Sequence, residues 1–427
     1  MADAGYAGGD CLAIDFGTSN SAAGIVEGGA VRLLEIEAGA ETLPTAVFFP
    51  EDGGMRIGAA ASEALIAGEE GRYMRALKSV LGTGLFHEKR LIGGRRRTLA
   101  EIVTAFLVEM KTRAEAQTGR SFRRALSGRP VHFHTRDPER DARAEEDLRG
   151  CYLAAGFEGV EMMFEPEAAA LASRIAEGTG GTGGTGLIID IGGGTSDFTV
   201  FRSAGDGIAI TASHGIRLGG TDFDHAVSMR HAMPLLGLGG ALRRDFGEGL
   251  LPVPNALYVD LSTWAKIPFL YSRDTERAVA EMLRLAEAPE AMRRLQAVIT
   301  DELGHELAFA VERGKIDANS GVAGAQIAMG MIEPGLGARI TAGTLNAALG
   351  EAREALRMAI YETLMLAQVS PAQVDSVVLV GGSSLMALVE DEARAVCPGA
   401  MLRRSEAFTA VVDGLAWAAS GRGVARA

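Results

Sequence analysis

The chain has 427 residues, of which 47% are hydrophobic and 23% charged, and its formal net charge is −13 at pH 7. This length exceeds one ordinary hydrophobic core and favours about two to four cores in a globular protein. The acidic balance argues against unspecific nucleic-acid binding, and no apolar run approaches membrane-spanning length. Three widely spaced cysteines and the lack of a signal sequence at the N-terminus lead us to expect a cytoplasmic protein without a disulfide framework.

The first glycine-containing turn lies in the stretch LAIDFGTSNS at residues 12–21, where an apolar run ends at Asp15. An apolar run, a tight glycine turn and a second apolar run predict a β-hairpin. The turn residues are Gly17, Thr18, Ser19 and Asn20. Glycine lets backbone N–H groups approach an anion, and a carboxylate beside the turn suits a phosphate that is accompanied by a divalent cation. An ordinary glycine turn is the alternative.

Several helices are predicted along the chain. Leu99–Ala116 has apolar residues at helical spacing, and Gly119 would end this helix. Asp141–Ala155 and Ala291–Glu312 also show helical patterns, and Phe408–Ala419 is a helix rich in small residues.

A second stretch, LIIDIGGGTSDFTVF at Leu187–Phe201, repeats the same pattern at nearly half the chain length from the first. Its strand ends at Asp190, and Asp197 follows the turn. The residues of the turn are Gly192, Gly193, Gly194 and Thr195. Two such hairpins predict two similar domains that face each other across one nucleotide.

A third glycine element, VVLVGGSS at Val377–Ser384, follows another apolar strand, Ser376–Val380. Its turn consists of Gly381, Gly382 and Ser383. The three elements in this order resemble the actin-like ATPase superfamily of actin, sugar kinases and the seventy-kilodalton heat-shock (Hsp70) chaperones. The Hsp70 branch is the most similar: DFGTSNS resembles its first phosphate motif, DIGGGTSDF its second, and VVLVGGSS its adenosine motif.

The resemblance implies an α/β protein with the actin-like ATPase (ribonuclease H-like) fold, built of two duplicated lobes, each a mixed sheet flanked by helices. The expected first lobe is residues 1–186, with 44–124 as its upper subdomain. The second is residues 187–404, with 229–324 as its upper subdomain, and residues 405–427 form a helix that returns to the first lobe. Only the ATPase half of a full chaperone is covered, as in short YegD-like members of the Hsp70 family.

The resemblance also implies the catalytic residues. Arg72–Gly82 is similar to the segment that carries the catalytic lysine, which corresponds to Lys78. Phe164–Ala170 is similar to the family's NEPTAAA helix start, which makes Glu165 the acid near the magnesium ion and its water molecules. Without the resemblance, Lys78 would be read as a solvated lysine and Glu165 as an acid that favours a helix N-terminus. Arg129–Phe133 resembles the family's VPAYF strand.

Further resemblances concern the nucleotide. RLGGTDFD, which contains Gly219 and Gly220, is similar to the LGGEDFD that closes the second phosphate region. ERGK is similar to the ERAK helix that clamps the adenosine, which implies that Glu312 and Lys315 reach the ribose and the base, while Asn319 falls at a family serine.

Two departures from the family concern the adenine. Where the family commonly has arginines that stack on this base, the chain has Ile316 and Leu385, and we expect weaker or less selective base binding.

The implied function is binding of ATP or ADP with Mg²⁺, and slow hydrolysis that drives a switch acting on a protein partner or co-chaperone. Asp15 and Asp190 would hold the hydrated Mg²⁺. Lys78, Glu165 and Asp197 would position the attacking water. Thr18 and Thr195 would contact phosphate. The alternatives are a small-molecule kinase of the same superfamily and an actin-like filament-forming ATPase; neither nucleic acid nor membrane is expected as a partner.

Overall fold

The computed structural model describes residues 10–37, 39–51, 54–177, 184–204, 207–245, 247–404, 409–421 and 425–426. The chain divides into two compact units, the first made of Met1–Gly220 and Glu354–Ala427 and the second of Thr221–Arg353. Among the described helices, none has the length and apolar character that a membrane span requires. The predicted lobe boundaries stay a prediction, and residues 405–408 of the expected C-terminal segment lie outside the described residues.

The strands are, in chain order, β1 (Cys11–Phe16), β2 (Asn20–Glu27), β3 (Ala30–Leu34), β4 (Thr42–Pro44), β5 (Ala46–Pro50), β6 (Arg56–Ile57), β7 (Gly71–Arg75), β8 (Arg90–Ile92), β9 (Arg95–Arg97), β10 (Arg124–Arg129), β11 (Gly159–Phe164), β12 (Thr185–Ile191), β13 (Ser196–Ala204), β14 (Gly207–Ile216), β15 (Ala241–Arg243), β16 (Leu250–Pro252), β17 (Gln326–Ala328), β18 (Gly337–Arg339), β19 (Ser376–Val380), β20 (Met401–Arg404) and β21 (Ala425–Arg426).

The helices are α1 (Ala59–Ile66), α2 (Gly84–His87), α3 (Leu99–Thr118), α4 (Pro138–Ala154), α5 (Glu165–Glu177), α6 (Gly220–Val227), α7 (Ala256–Leu261), α8 (Arg273–Leu285), α9 (Pro289–Thr300), α10 (Gly304–Asn319), α11 (Ala342–Ala348), α12 (Gly350–Leu366), α13 (Ala387–Val396) and α14 (Ala410–Ala419). Short 3₁₀ turns include Leu77–Val80 and Gly382–Leu385.

Beside the small sheets β6-β5-β7 and β8-β9, the described part of the first unit contains two six-stranded sheets in which five strands share one topology. One has the order β11-β10-β1-β2-β3, with β4 paired to β2, and the other has the order β20-β19-β12-β13-β14-β21. In both, an antiparallel hairpin (β1–β2 or β12–β13) is extended by a third antiparallel strand on one side and by two parallel strands on the other. The sheet duplication predicted from the two hairpin motifs is therefore present.

Helices α5 and α14 pack against each other and share one hydrophobic core with strands of both sheets. Their contact surfaces consist of small residues, among them Ala168 and Gly414, so their backbones approach closely. A Cβ atom at Gly414 would lie 1.8 Å from the carbonyl oxygen of Ala168. Because α5 begins at Glu165, this close packing also fixes a residue of the predicted site.

The second unit is mostly helical, with α6 to α11 and two short hairpins, β15–β16 and β17–β18. Its α10 packs on β17. A Cβ atom at Gly314 of α10 would lie 2.9 Å from the carbonyl oxygen of Gln326, which explains a glycine in the helix interior.

Two predicted elements were wrong in part. The strand expected at Arg129–Phe133 is a loop, because β10 spans Arg124–Arg129 and ends where the loop begins. The single helix expected at Ala291–Glu312 is two helices, α9 and α10, because Glu302 between them has a φ of 55°, in the left-handed region that interrupts a helix. The helix end at Gly119 is confirmed, with a φ of 66°.

The crossing of α5 and α14 yields a stability prediction. The Gly414→Ala variant should lower the free energy of unfolding by about 2–3 kcal/mol, because the added methyl group overlaps a backbone carbonyl. Gly150→Ala in α4 is the matched control: its Cβ meets no atom within 4 Å, so better helix propensity should raise stability by about 0.5–1 kcal/mol. Urea unfolding measures both, and equal effects of the two substitutions would contradict the close packing.

Candidate functional site

The two predicted phosphate hairpins face each other through their turns. A Cβ atom at Gly193 would lie 2.3 Å from Ser19 Oγ, and one at Gly194 would lie 3.2 Å from Thr18 Oγ1. In the first turn, a Cβ atom at Gly17 would lie 2.2 Å from the carbonyl oxygen of Asn20. Only glycine leaves room for the two turns at this separation, so the glycines that the sequence singled out are required by the backbone geometry.

The third glycine element and the RLGGTDFD segment lie against the second turn. Gly220 N donates to the carbonyl oxygen of Gly192 at 3.0 Å. A Cβ atom at Gly220 would lie 2.4 Å from Ser383 Oγ, and one at Gly219 would lie 2.5 Å from Gly194 N. Gly381, whose φ is 81°, lies so close to Asp190 that a Cβ atom there would be 2.6 Å from Asp190 Oδ1.

Lys78 is the cation at the centre of the first unit's site. It lies in the 3₁₀ turn Leu77–Val80. The residue before this turn, Ala76, has a left-handed φ of 60°. Its Nζ is 2.5 Å from Glu165 Oε1, and the side chains of Lys78 and Glu165 are only 5% and 12% exposed. Burial by itself lowers the pKa of Lys78, but the Glu165 and Asp15 carboxylates outweigh it and raise this pKa.

Three aspartates complete the cluster, and each lies one residue inside the end or the start of a strand. Asp15 lies in β1 and Asp190 in β12, and Asp197 faces Asp190 across the β12–β13 ladder. Asp197 Oδ1 accepts a hydrogen bond of 2.7 Å from Val131 N, and Thr195 donates to the same carboxylate. Asp190 and Asp197 are buried, whereas Asp15 is partly exposed.

The carboxylates repel one another. Burial, followed by the Glu165 carboxylate, raises the pKa of Asp15 from 3.8 to about 7, although Lys78 opposes this shift. The same two causes raise the pKa values of Asp190 and Asp197 well above the ordinary value. Four carboxyl groups thus surround one ammonium group, and further positive charge would be needed to ionise all of them.

This donor set fits a hydrated magnesium ion. The described residues contain no group of three or more His, Cys, Asp or Glu side chains placed to hold a metal directly. Mg²⁺ dehydrates reluctantly and usually keeps several waters while it binds to one or two carboxylates and to substrate phosphates. Asp15 and Asp190, which border the glycine turns, are the residues that would hold it.

Three of the residues predicted to contact the adenosine share one helix. Glu312, Lys315 and Asn319 lie on α10 in the second unit. Lys315 Nζ is 2.7 Å from Asp224 Oδ1, with both side chains buried, and Trp264 Nε1 donates to Asp224 Oδ2. The ammonium group of Lys315 is thus held by an acid of its own unit.

The side chains that stand in place of the family's adenine-stacking arginines are solvent-accessible. Ile316 on α10 is 45% exposed, and Leu385, in the first unit, is 43% exposed. Both therefore present apolar surface to solvent.

Several supporting groups were missed from the sequence. The Val131 amide that binds Asp197 is 66 residues away from it. Behind the first turn, the hydroxyl groups of Ser21 and Thr45 form a buried hydrogen bond of 2.7 Å. Asp147 of α4 accepts from Gly82 N at 2.8 Å and so fixes the end of the Lys78 segment. These partners join distant parts of the chain, and no local pattern signals them.

Two sheets of equal topology, with glycine hairpins facing each other beside buried carboxylates, define the actin-like ATPase class. The family model described as Hsp70 protein matches residues 11–93 and 83–234, slightly more than half of the chain. The chaperone protein DnaK of Endomicrobium trichonymphae is 32% identical over 222 residues, which cover 51% of this chain and 34% of that protein. DnaK of Methanothermobacter thermautotrophicus is 32% identical over 221 residues, 51% of this chain and 35% of that protein.

The chain belongs to the Hsp70 family, and its fold is the actin-like ATPase fold of that family. The match spans only about a third of the length of these relatives.

The raised pKa of Asp15 predicts a pH dependence of stability. An acid whose pKa is higher in the folded than in the unfolded protein stabilises the fold below its unfolded pKa, and this contribution is lost as the pH rises through the folded pKa. In metal- and nucleotide-free protein, stability should therefore fall between about pH 4 and pH 7 through Asp15. The free energy of unfolding of the Asp15→Asn variant, measured in urea, should fall less over this range. Parallel pH dependences of the wild type and the variant would refute the assignment to Asp15.

Substitutions of the two partners of the buried ion pair should lower the free energy of unfolding by different amounts. Lys78→Met leaves four carboxyl groups without the ammonium group and should cost about 3–5 kcal/mol of unfolding free energy. Glu165→Gln keeps a hydrogen-bond acceptor for Lys78 and removes a repelling charge, so it should cost less than about 1 kcal/mol. Urea unfolding at pH 7 without Mg²⁺ compares the two variants. Equal losses of unfolding free energy would mean that excess negative charge does not dominate the stability of this cluster.

Proposed function

We propose that the chain binds ATP or ADP together with Mg²⁺ and hydrolyses ATP slowly, as a chaperone-type switch that acts on a protein partner. The observation that carries the proposal is the buried Lys78–Glu165 pair set among three aspartates beside the facing glycine turns. Membership of the Hsp70 family supports it.

The glycine turns are suited to bind phosphate. Their backbones approach one another without intervening side chains, and exposed N–H groups in such turns favour an anion. Thr18 and Thr195 add hydroxyl donors at the two turns. A bound Mg²⁺ would neutralise charge on the phosphate oxygens and on the carboxylates Asp15 and Asp190.

Lys78, Glu165 and Asp197 would act on the water that attacks the terminal phosphate. The Lys78 ammonium group is a compact charge, and its pairing with Glu165 fixes its position. Asp197 is held by the Val131 amide, and its raised pKa makes its carboxylate a stronger base than an ordinary aspartate. Phosphoryl transfer depends mainly on positioning and charge stabilisation, which such a set supplies.

Water rather than a second substrate is the proposed acceptor. Lys78 occupies the place where the resemblance puts the water-positioning lysine, and its Glu165 partner is nearly as buried as the lysine itself. Hydrolysis would then change the conformation that a protein partner recognises.

The catalytic role of Lys78 is tested by single-turnover phosphate release. Lys78→Ala should still bind Mg·ATP, which also shows that the variant is folded, but should release phosphate about 10²–10³-fold more slowly. Lys111→Ala is the matched control, because Lys111 pairs with Glu115 of its own helix α3 and should leave the rate unchanged. A Lys78→Ala rate equal to that of the wild type, or a wild type that binds ATP without releasing phosphate, would contradict the proposal.

A second test concerns the base. The exposed Leu385 stands where the resemblance places an adenine-stacking arginine. Leu385→Arg should tighten ATP binding by about 0.5–2 kcal/mol through a cation–π contact, and calorimetric titration with Mg·ATP measures this gain. Leu385→Gln, which adds a polar group without charge, should give no gain. Equal affinities of the wild type and the arginine variant would contradict a role of this position at the base.

A further inference from the structure

A groove of about 810 Å³ lies between α3 and α4 of the first unit. Small side chains form much of its walls, with Ala100 and Val108 on α3 and Gly150 and Ala154 on α4, and the buried Phe86 also lines it. Because these side chains are small, they leave open space between the two helices at this position. Its volume is in the range typical of binding sites for drug-sized molecules.

The charged groups that line the groove are almost all acidic. Among the described residues, four carboxylates and one imidazole, that of His87, line it. The carboxylates are Glu101, Glu109, Glu146 and Asp147. Asp147 is engaged by Gly82 N and His87 Nε2, and Glu101 is part of the cap of α3. Glu109 pairs with Arg113, whose Nε is 3.4 Å from Glu109 Oε2. Within the described part of the chain, Glu146 forms no ion pair, so its charge is available to a ligand.

We propose that this groove binds a small organic cation with an apolar body and one ammonium or guanidinium group. The apolar side chains would cover the body of the ligand, since burial of apolar surface drives such binding. The cationic group would lie at the acidic rim, where Glu146 attracts it. This site is separate from the glycine turns, and the inference does not depend on the proposed hydrolysis of ATP.

The test uses three probes that share one apolar body and differ in the charge of the head group: 4-phenylbutylamine, 4-phenylbutanol and 4-phenylbutyrate. Each is titrated calorimetrically into the full chain, free of nucleotide, at pH 7. The amine should bind about five-fold more tightly than the alcohol, as expected for one favourable charge contact near the surface, and the acid should bind most weakly. Equal affinities of the three probes, or no binding of the amine, would overturn the proposal.

Two variants locate the binding in the groove. Gly150→Leu should fill it and weaken amine binding at least about ten-fold, because the new side chain occupies space in which a Cβ meets no atom within 4 Å. Gly350→Leu, also at a position with no neighbouring atom, is the matched control and should bind the amine like the wild type. Unfolding in urea confirms that both variants are folded, and an unchanged affinity of folded Gly150→Leu would refute the site.

A third variant tests the charge. Glu146→Gln should reduce the preference for the amine over the alcohol while leaving the affinity of the alcohol unchanged. If the preference for the amine survives this substitution, the acidic rim does not select the ligand and the proposed ligand class is wrong.

Discussion

The buried pair of Lys78 and Glu165 shares its surroundings with three aspartates, and this excess of acid is the constraint on which the rest of the site depends. Buried carboxylates are costly unless they are paired or protonated. The raised pKa values of Asp15, Asp190 and Asp197 show that one ammonium group does not compensate them all. A cation that arrives with a phosphate ligand would reduce this penalty, which supports the proposed binding of metal and nucleotide together.

The fold brings these charges together by repeating one arrangement. Each of the two six-stranded sheets contains a hairpin whose first strand has an acid, Asp15 or Asp190, as its second-last residue. A turn that contains glycine follows each of these strands. The absence of side chains at Gly193 allows the two turns to approach each other. The tight packing of α14 on α5 then fixes Glu165 against Lys78.

Much of this site could be predicted from sequence because its parts are local. An apolar run, an acid and a glycine turn define each hairpin within about ten residues, and these hairpins have the expected form. The predicted secondary structure was wrong where the local conformation depends on contacts with residues far away in the sequence. The segment expected to be a strand at Arg129–Phe133 is a loop that supplies the Val131 amide to Asp197. The break at Glu302 has a positive φ at a residue that is neither glycine nor asparagine, and the nearby Gly304 is already the first residue of α10, so the sequence did not locate the break.

The most direct test of the central claim is calorimetric titration of the chain with Mg·ATP at pH 7 in two buffers of different ionisation enthalpy. If a cation and phosphate relieve the excess of buried carboxyl groups, those groups lose protons on binding, and the measured heat will differ between buffers in the sense of proton release. ATP without Mg²⁺ should bind far more weakly. Binding that proceeds without proton release, or equally well without Mg²⁺, would contradict the account.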